Sequence, residues 1–186
     1  MEEIELYLES GLPAGRRAEK DLAHEKGWLH RAVAVWLRDE GGRLILQRRS
    51  AAKAFAPGLL DISFAGHIRA GESAVEAALR EGREELGLSL DPCALRYLFS
   101  CRDRFDSGPH LIENEIVDLY LYLPPISPAE CRFEDGEVSG LVALPWREIE
   151  SLWRKDDPSL VLYEAQFSFF FGLLGRDPSL GGLLRP

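Results

Sequence analysis

Positive charge is what this chain lacks most: 22 lysines and arginines face 31 aspartates and glutamates, a formal net charge of −9 at pH 7. That deficit argues against a surface built to grip a nucleic-acid polymer. A small anionic ligand would need cations to approach such a protein. Cysteine is scarce, and Cys93, Cys101 and Cys131 form no C-x-x-C pair, so they read as free thiols of a reducing compartment. Long apolar runs are absent as well. The richest, FSFFFGLLG at residues 167–175, is about half the length that spans a bilayer. MEEIELYLES lacks the basic stretch and apolar run of a secretory leader, so the expectation is a cytoplasmic protein without a membrane partner. Neither internal repeats nor low-complexity segments occur.

What is present is enough apolar material, 46% of 186 residues, for one substantial core, and the reading is a single domain over 1–186. Residues 32–37 and 43–47 read as two strands joined at Asp39, Glu40, Gly41 and Gly42. Residues 51–60, with Pro57 and Gly58, read as a loop, followed by a short strand in DISFAGHI. Further strands are expected at 95–105, at 112–123 and in LVALP, then a helix from Trp146 and a C-terminal helix over 158–174. Strands, one helix, strands and terminal helices in that order favour an α/β fold, a mixed β-sheet with helices on its faces. Phe167, Phe169, Phe170 and Phe171 suit a core helix or a homodimer contact.

The most informative stretch is GHIRAGESAVEAALREGREELGL, residues 66–88. Ser73 with Glu76 makes a capping box and Gly87 a C-terminal stop, so a helix lies between them. Val75, Ala78, Leu79, Gly82 and Leu86 share one stripe, read as the buried face. Glu81, Glu84 and Glu85 fall on a neighbouring arc, because offsets of three and four residues bring side chains together. Like charges there repel, and a helix C-terminus disfavours anions. A divalent cation with a taste for carboxylate oxygen, Mg²⁺ or Mn²⁺, removes both objections and bridges to phosphate. Gly82 costs about 1 kcal/mol against alanine inside a helix. Its place on the buried stripe implies a close approach to the sheet.

This segment resembles the signature of the Nudix hydrolases: G, five residues, E, seven residues, REU, one residue, EE, one residue, GU, with U aliphatic. Gly66, Glu72, Arg80, Glu81, Glu84, Glu85, Gly87 and Leu88 occupy the matching positions, and Gly82 departs where an aliphatic residue is usual. The resemblance implies a Nudix-type α/β/α sandwich and hydrolysis of a nucleoside or other small organic diphosphate derivative. Glu81, Glu84 and Glu85 would hold the metal, with Glu84 and Glu85 the pair for the principal ion, and Arg80 would orient the acids.

HEKGWLHRAVAVWL, LQRRSAAK and ENEIV are also similar to type I isopentenyl-diphosphate isomerases and the hydrolases nearest to them, over a core of about 22–153. That resemblance implies a second metal site from His24, His30, His67, Glu113 and Glu115, with Arg49 and Lys53 on the diphosphate. Taken singly, His24 and His30 suit structural roles as well, and Arg49 and Lys53 suit a solvated loop. Glu113 and Glu115 alternate along a strand and so share a face. The isomerases carry a catalytic cysteine just before the glycine and histidine of FAGH, where this chain has Ala65. Hydrolysis is therefore preferred, with isomerase-like activity and a non-catalytic nucleotide-binding module as the alternatives. Trp36, Phe64, Phe105 and Tyr120 are candidates to stack on a base or to fill the core.

Overall fold

A computed structural model describes residues 2–53, 55–106, 111–133 and 136–186. Its organising element is β3 (His30–Arg38), whose alternation sends Ala32, Ala34 and Trp36 to one side of the sheet and Val33, Val35 and Leu37 to the other, all six buried. Apolar side chains on both faces mark a central strand covered on each side. Beside it lie β8 (Ile112–Tyr122), parallel, with Ala32 opposite Val117, and β6 (Phe64–His67), antiparallel, with Ala32 opposite His67. β4 (Leu44–Arg49) runs antiparallel to β5 (Leu60–Asp61) and β9 (Val138–Leu144), and β7 (Leu95–Asp106) flanks β8. The sheet is mixed.

Helix α2 (Ala74–Leu86) covers the Val33 face through Ala77, Ala78 and Leu86. On the Trp36 face pack α3 (Trp146–Arg154) and α4 (Glu164–Leu174), with Trp36 stacked 5.2 Å from Phe170. Helix, sheet and helix make three layers, the α/β/α arrangement expected. The connection from β3 to β4 is a hairpin, closed where Asp39 accepts from the Arg43 amide at 2.8 Å. Phe167, Phe170 and Phe171 are core, whereas Phe169 is 59% exposed. No helix among the described residues is long and apolar enough to cross a membrane.

The structure goes beyond the sequence reading in three places. Ahead of the core that begins near residue 22, β1 (Glu3–Tyr7) and β2 (Pro13–Glu19) form a hairpin that joins β3 through Leu6 opposite His30. Helix α1 (Lys20–Lys26) follows and is stopped by Gly27 at φ 61°. The C-terminal helix begins at Glu164 rather than 158, because the Leu60 amide donates to Ser159 O at 2.7 Å and the Val161 amide to Leu60 O at 2.8 Å. Those bonds tie Leu160 and Val161, both buried, to β5 as extended chain. A short α5 (Pro178–Gly181) closes the chain.

The third change concerns α2. Its buried positions are Ala77, Ala78, Glu81, Gly82, Glu85 and Leu86, while Val75 and Leu79 are only half-buried. The helix is rolled so that two of its acids face inward, where β6 and β4 receive them. The capping box at Ser73 and the left-handed Gly87 are as expected. A Cβ on Gly82 would lie 3.1 Å from Leu90 Cδ1 and 3.2 Å from Phe64 Cζ, so the Phe64 ring fills the space of the usual aliphatic side chain. Gly82→Val is therefore expected to destabilise the fold by about 1–3 kcal/mol in urea denaturation. Adding Phe64→Leu should recover part of that loss; equal stability of Gly82→Val and the parent would refute the packing account.

Candidate active site

Four ligand atoms converge where three strands and a helix meet. β3 opens with His30, β6 closes with His67, β8 brings Glu115 opposite His30, and α1 supplies His24. One ligand atom each from His24, His30, His67 and Glu115 lies within 4.8 Å of all the others. His67 Nε2 is 3.1 Å from both His24 Nε2 and Glu115 Oε1, and His30 Nε2 is 3.4 Å from Glu115 Oε1. Glu113 stands just outside, 3.9 Å from His24 Nε2.

The His30 ring shows what this cluster suits. Its Nδ1 lies 2.8 Å from the Trp28 carbonyl, an acceptor, which places the proton on Nδ1. Nε2 is then a lone pair, fully buried and without a hydrogen-bond partner. An orphaned lone pair among two other imidazoles and a carboxylate fits a divalent cation, and a backbone carbonyl behind the ring is the usual way to orient such a ligand. Burial, then the proximity of the His67 and His30 rings, pushes His24 down to about 4, leaving it neutral at pH 7, the form that ligates. Burial works against charge on His67 too, but Glu115 outweighs it and raises the ring. Burial likewise opposes ionisation of Glu115, and the neighbouring His30 and His67 rings outweigh it and hold the carboxyl well below the carboxylate range. Glu113, buried beside the Glu115 charge, rises to about 7.

The acids of α2 are arranged differently. Arg80 donates through Nε and Nη2 to Glu72 at 2.9 Å each, through Nη2 to the His67 carbonyl at 2.8 Å, and through Nη1 to Glu81 at 2.5 Å and Glu84 at 3.2 Å. One guanidinium thus ties the helix to the end of β6. Glu81 lies across Gly66: a Cβ there would sit 2.1 Å from its carboxyl carbon. Glu84 is exposed and also reaches Arg69 at 3.5 Å. Glu85 is 4% exposed and accepts from Gln47 Nε2 at 3.0 Å. Burial, then the charge of Glu81, pushes its carboxyl well above the ordinary range, a cost that a bound cation would remove. Burial also raises Glu81, against the pull of Arg80. Among the described residues Glu81, Glu84 and Glu85 do not close into a mutual set as the histidines do; they share a wall instead.

That wall belongs to a cavity of about 330 Å³ lined by Glu81, Glu84 and Glu85 on one side and by His67, Glu113 and Glu115 on another. Arg49 and Lys53 line it as well. Arg49 donates through Nη1 to buried Asp61 at 2.7 Å and through Nε to the Phe55 carbonyl at 3.1 Å, which commits two of its three nitrogens; Lys53 pairs with Glu137. Of the four candidate aromatics only Phe105 reaches the cavity, where it meets Phe55 at 5.9 Å and Tyr163 at 5.1 Å. Trp36, Phe64 and Tyr120 are core. Ala65 also lines the cavity, and none of the three cysteines does. Gln47, Phe55, Asp61, Glu137 and Tyr163 are not singled out by the sequence reading, for nothing in their own neighbourhood of the chain points to a role in the site.

Residues 28–164 match the NUDIX domain family. The chain is 35% identical over 167 residues to Nudix hydrolase 3 of Arabidopsis thaliana, covering 88% of this chain but only 22% of that longer protein. It is 34% identical to an uncharacterized Nudix hydrolase of Clostridium acetobutylicum (81% of this chain, 72% of that one), and 39% identical to an isopentenyl-diphosphate Delta-isomerase of Streptomyces griseus (75% and 71%). In fold it is similar to DR0079 of Deinococcus radiodurans, with a TM-score of 0.67 at 24% identity over 92% of this chain and 98% of that one. It is similar also to the NUDIX domain of Shewanella oneidensis NrtR in complex with ADP ribose, with a TM-score of 0.55 at 16% identity over 78% and 87%.

Proposed function

The chain belongs to the Nudix family, and from that premise we propose that it is a divalent-cation-dependent pyrophosphohydrolase acting on a small organic diphosphate. The observation that carries this reading is a single cavity in which Glu81, Glu84 and Glu85 face Arg49 and Lys53 while Ala65 offers only a methyl group. Carboxylates suit Mg²⁺ or Mn²⁺, and cationic side chains suit the diphosphate.

Glu84 and Glu85, with Glu81, would hold one cation, and His24, His30, His67 and Glu115, with Glu113 beside them, would hold a second. Ions bound there would neutralise diphosphate oxygens and lower the pKa of an attacking water. Arg80 fixes Glu81 and Glu84 against β6 through its five contacts. Arg49 turns its remaining nitrogen, and Lys53 its point charge, to the substrate oxygens. Water oxygen bonds to phosphorus as its proton passes to solvent, and the bond from phosphorus to the bridging oxygen breaks with its electron pair leaving on that oxygen. The organic group packs on Phe55, Phe105 and Tyr163. Tyr163 spends its hydroxyl on Asp61 at 3.2 Å, so this wall offers ring carbon, which favours a compact apolar or aromatic group. The same reading takes residues 1–186 as a single domain at work in the cytoplasm, without a polymer or membrane partner.

Isomerase-like activity is the second reading, supported by the closed histidine set. Ala65 counts against it, since a methyl group has no proton to give. Nucleoside diphosphate derivatives, isoprenoid diphosphates and thiamine diphosphate, each with Mg²⁺ or Mn²⁺, are expected to include at least one that yields a monophosphate by phosphorus NMR, and EDTA should stop the reaction. No turnover of any of them would sink the hydrolase. Isopentenyl diphosphate in D₂O should return without deuterium; label in recovered diphosphate would favour the isomerase.

A further inference from the structure

Gln47 lies on β4, far in sequence from α2, in the LQRRSAAK stretch but with no role assigned to it there. Its side chain is 4% exposed, as Glu85 is, and donates from Nε2 to Glu85 Oε2 at 3.0 Å. The strand holding it is paired on both edges, with Gln47 opposite Asp61 of β5 and opposite Leu141 of β9, so its Cα has little freedom. The amide orientation follows from chemistry: turned over, its oxygen would face a carboxylate oxygen. Three other kinds of residue would serve Glu85 worse. An apolar side chain leaves a buried carboxylate oxygen without a partner. Lysine or arginine holds the oxygen but cancels the charge that attracts a cation. A carboxylate repels. A neutral amide holds one oxygen, keeps the charge, and leaves the second oxygen to the cavity that Glu85 lines.

We propose that Gln47 is a positioning residue that presets the Glu85 carboxylate as a cation ligand while leaving its charge uncancelled. This rests on the metal reading of Glu85 given above. Partners behind metal ligands are typically worth about 10–100-fold in metal affinity, and Gln47 stands in that relation to Glu85.

The test is a Mn²⁺ titration of the whole protein followed by the electron paramagnetic resonance of free Mn²⁺, on the parent, Gln47→Leu, Gln47→Lys and Glu85→Gln. Glu85→Gln identifies the class of Mn²⁺ site that depends on Glu85. In Gln47→Leu that class should weaken at least tenfold with unchanged circular dichroism, and in Gln47→Lys it should weaken although a donor is kept. The Mg²⁺ concentration for half-maximal activity should rise likewise, with kcat at saturating Mg²⁺ within about threefold of the parent. A merely structural glutamine would lower Tm and leave Mn²⁺ affinity alone. If Gln47→Leu does not fold, Gln47→Met carries the same expectation. Parent-like affinity, within twofold, in the Gln47 variants while Glu85→Gln loses its site overturns the role of Gln47 alone. A Glu85→Gln variant that binds Mn²⁺ like the parent overturns the metal reading of Glu85, and the role of Gln47 with it.

Discussion

Glu85→Gln is expected to lower metal-dependent turnover by about 10³-fold, roughly 4 kcal/mol of transition-state stabilisation, while the protein stays folded. The amide matches the carboxylate in shape, so packing in this 4%-exposed position is kept and only charge is lost. Stability without metal should move the other way. Because burial raises the folded pKa of Glu85 above its unfolded value, the unfolded chain gives up this proton first as pH rises. The fold then loses stability through the window that starts near the unfolded value of about 4.3 and extends upward. Glutamine has no proton to lose, so at pH 7 in EDTA the variant should melt above the parent. Excess Mg²⁺ should raise the parent Tm and leave the variant less affected. Full turnover in Glu85→Gln would remove this carboxylate from the chemistry.

Gly66→Ala should cost about 10²-fold in kcat with little loss of stability. The added Cβ would lie 2.1 Å from both Cδ and Oε1 of Glu81, far inside contact distance. The backbone at Gly66 is ordinary strand, paired with Val33, so alanine itself is not strained there. What must give is the end of the Glu81 side chain, pulled away from its 2.5 Å bond to Arg80. Displacements of about 1 Å in a catalytic group cost on the order of 10²-fold. A double-mutant cycle isolates the cause: in a Glu81→Ala background the added Gly66→Ala should have almost no further effect on rate. Additive losses would show that the glycine serves the strand rather than the acid.

Much of this site is legible in one stretch of chain. Ser73 and Gly87 bound a helix through their own neighbours, and offsets of three and four residues gather Glu81, Glu84 and Glu85 by helical geometry alone. The roll of that helix is less legible. Val75 and Leu79 belong to the apolar stripe by hydropathy, yet Glu81 and Glu85 take the buried side because Gly66 and Gln47 receive them. The aromatic candidates divide for a similar reason. Trp36, Phe64 and Phe105 all sit on strands, and of these three side chains only Phe105, at the end of β7, lines the cavity. Phe55 and Tyr163 come from segments with no periodicity to read.

By itself the sequence determined the central strand, the capped helix and the spacing of its acids, since each depends on residues within a few positions of one another. Only the tertiary structure decided that His24, His30, His67 and Glu115 share one point, that Gln47 meets Glu85, and that residues 3–19 form a hairpin on β3. Those contacts depend on strand register across long loops, where shifting a strand by one residue turns every side chain to the opposite face.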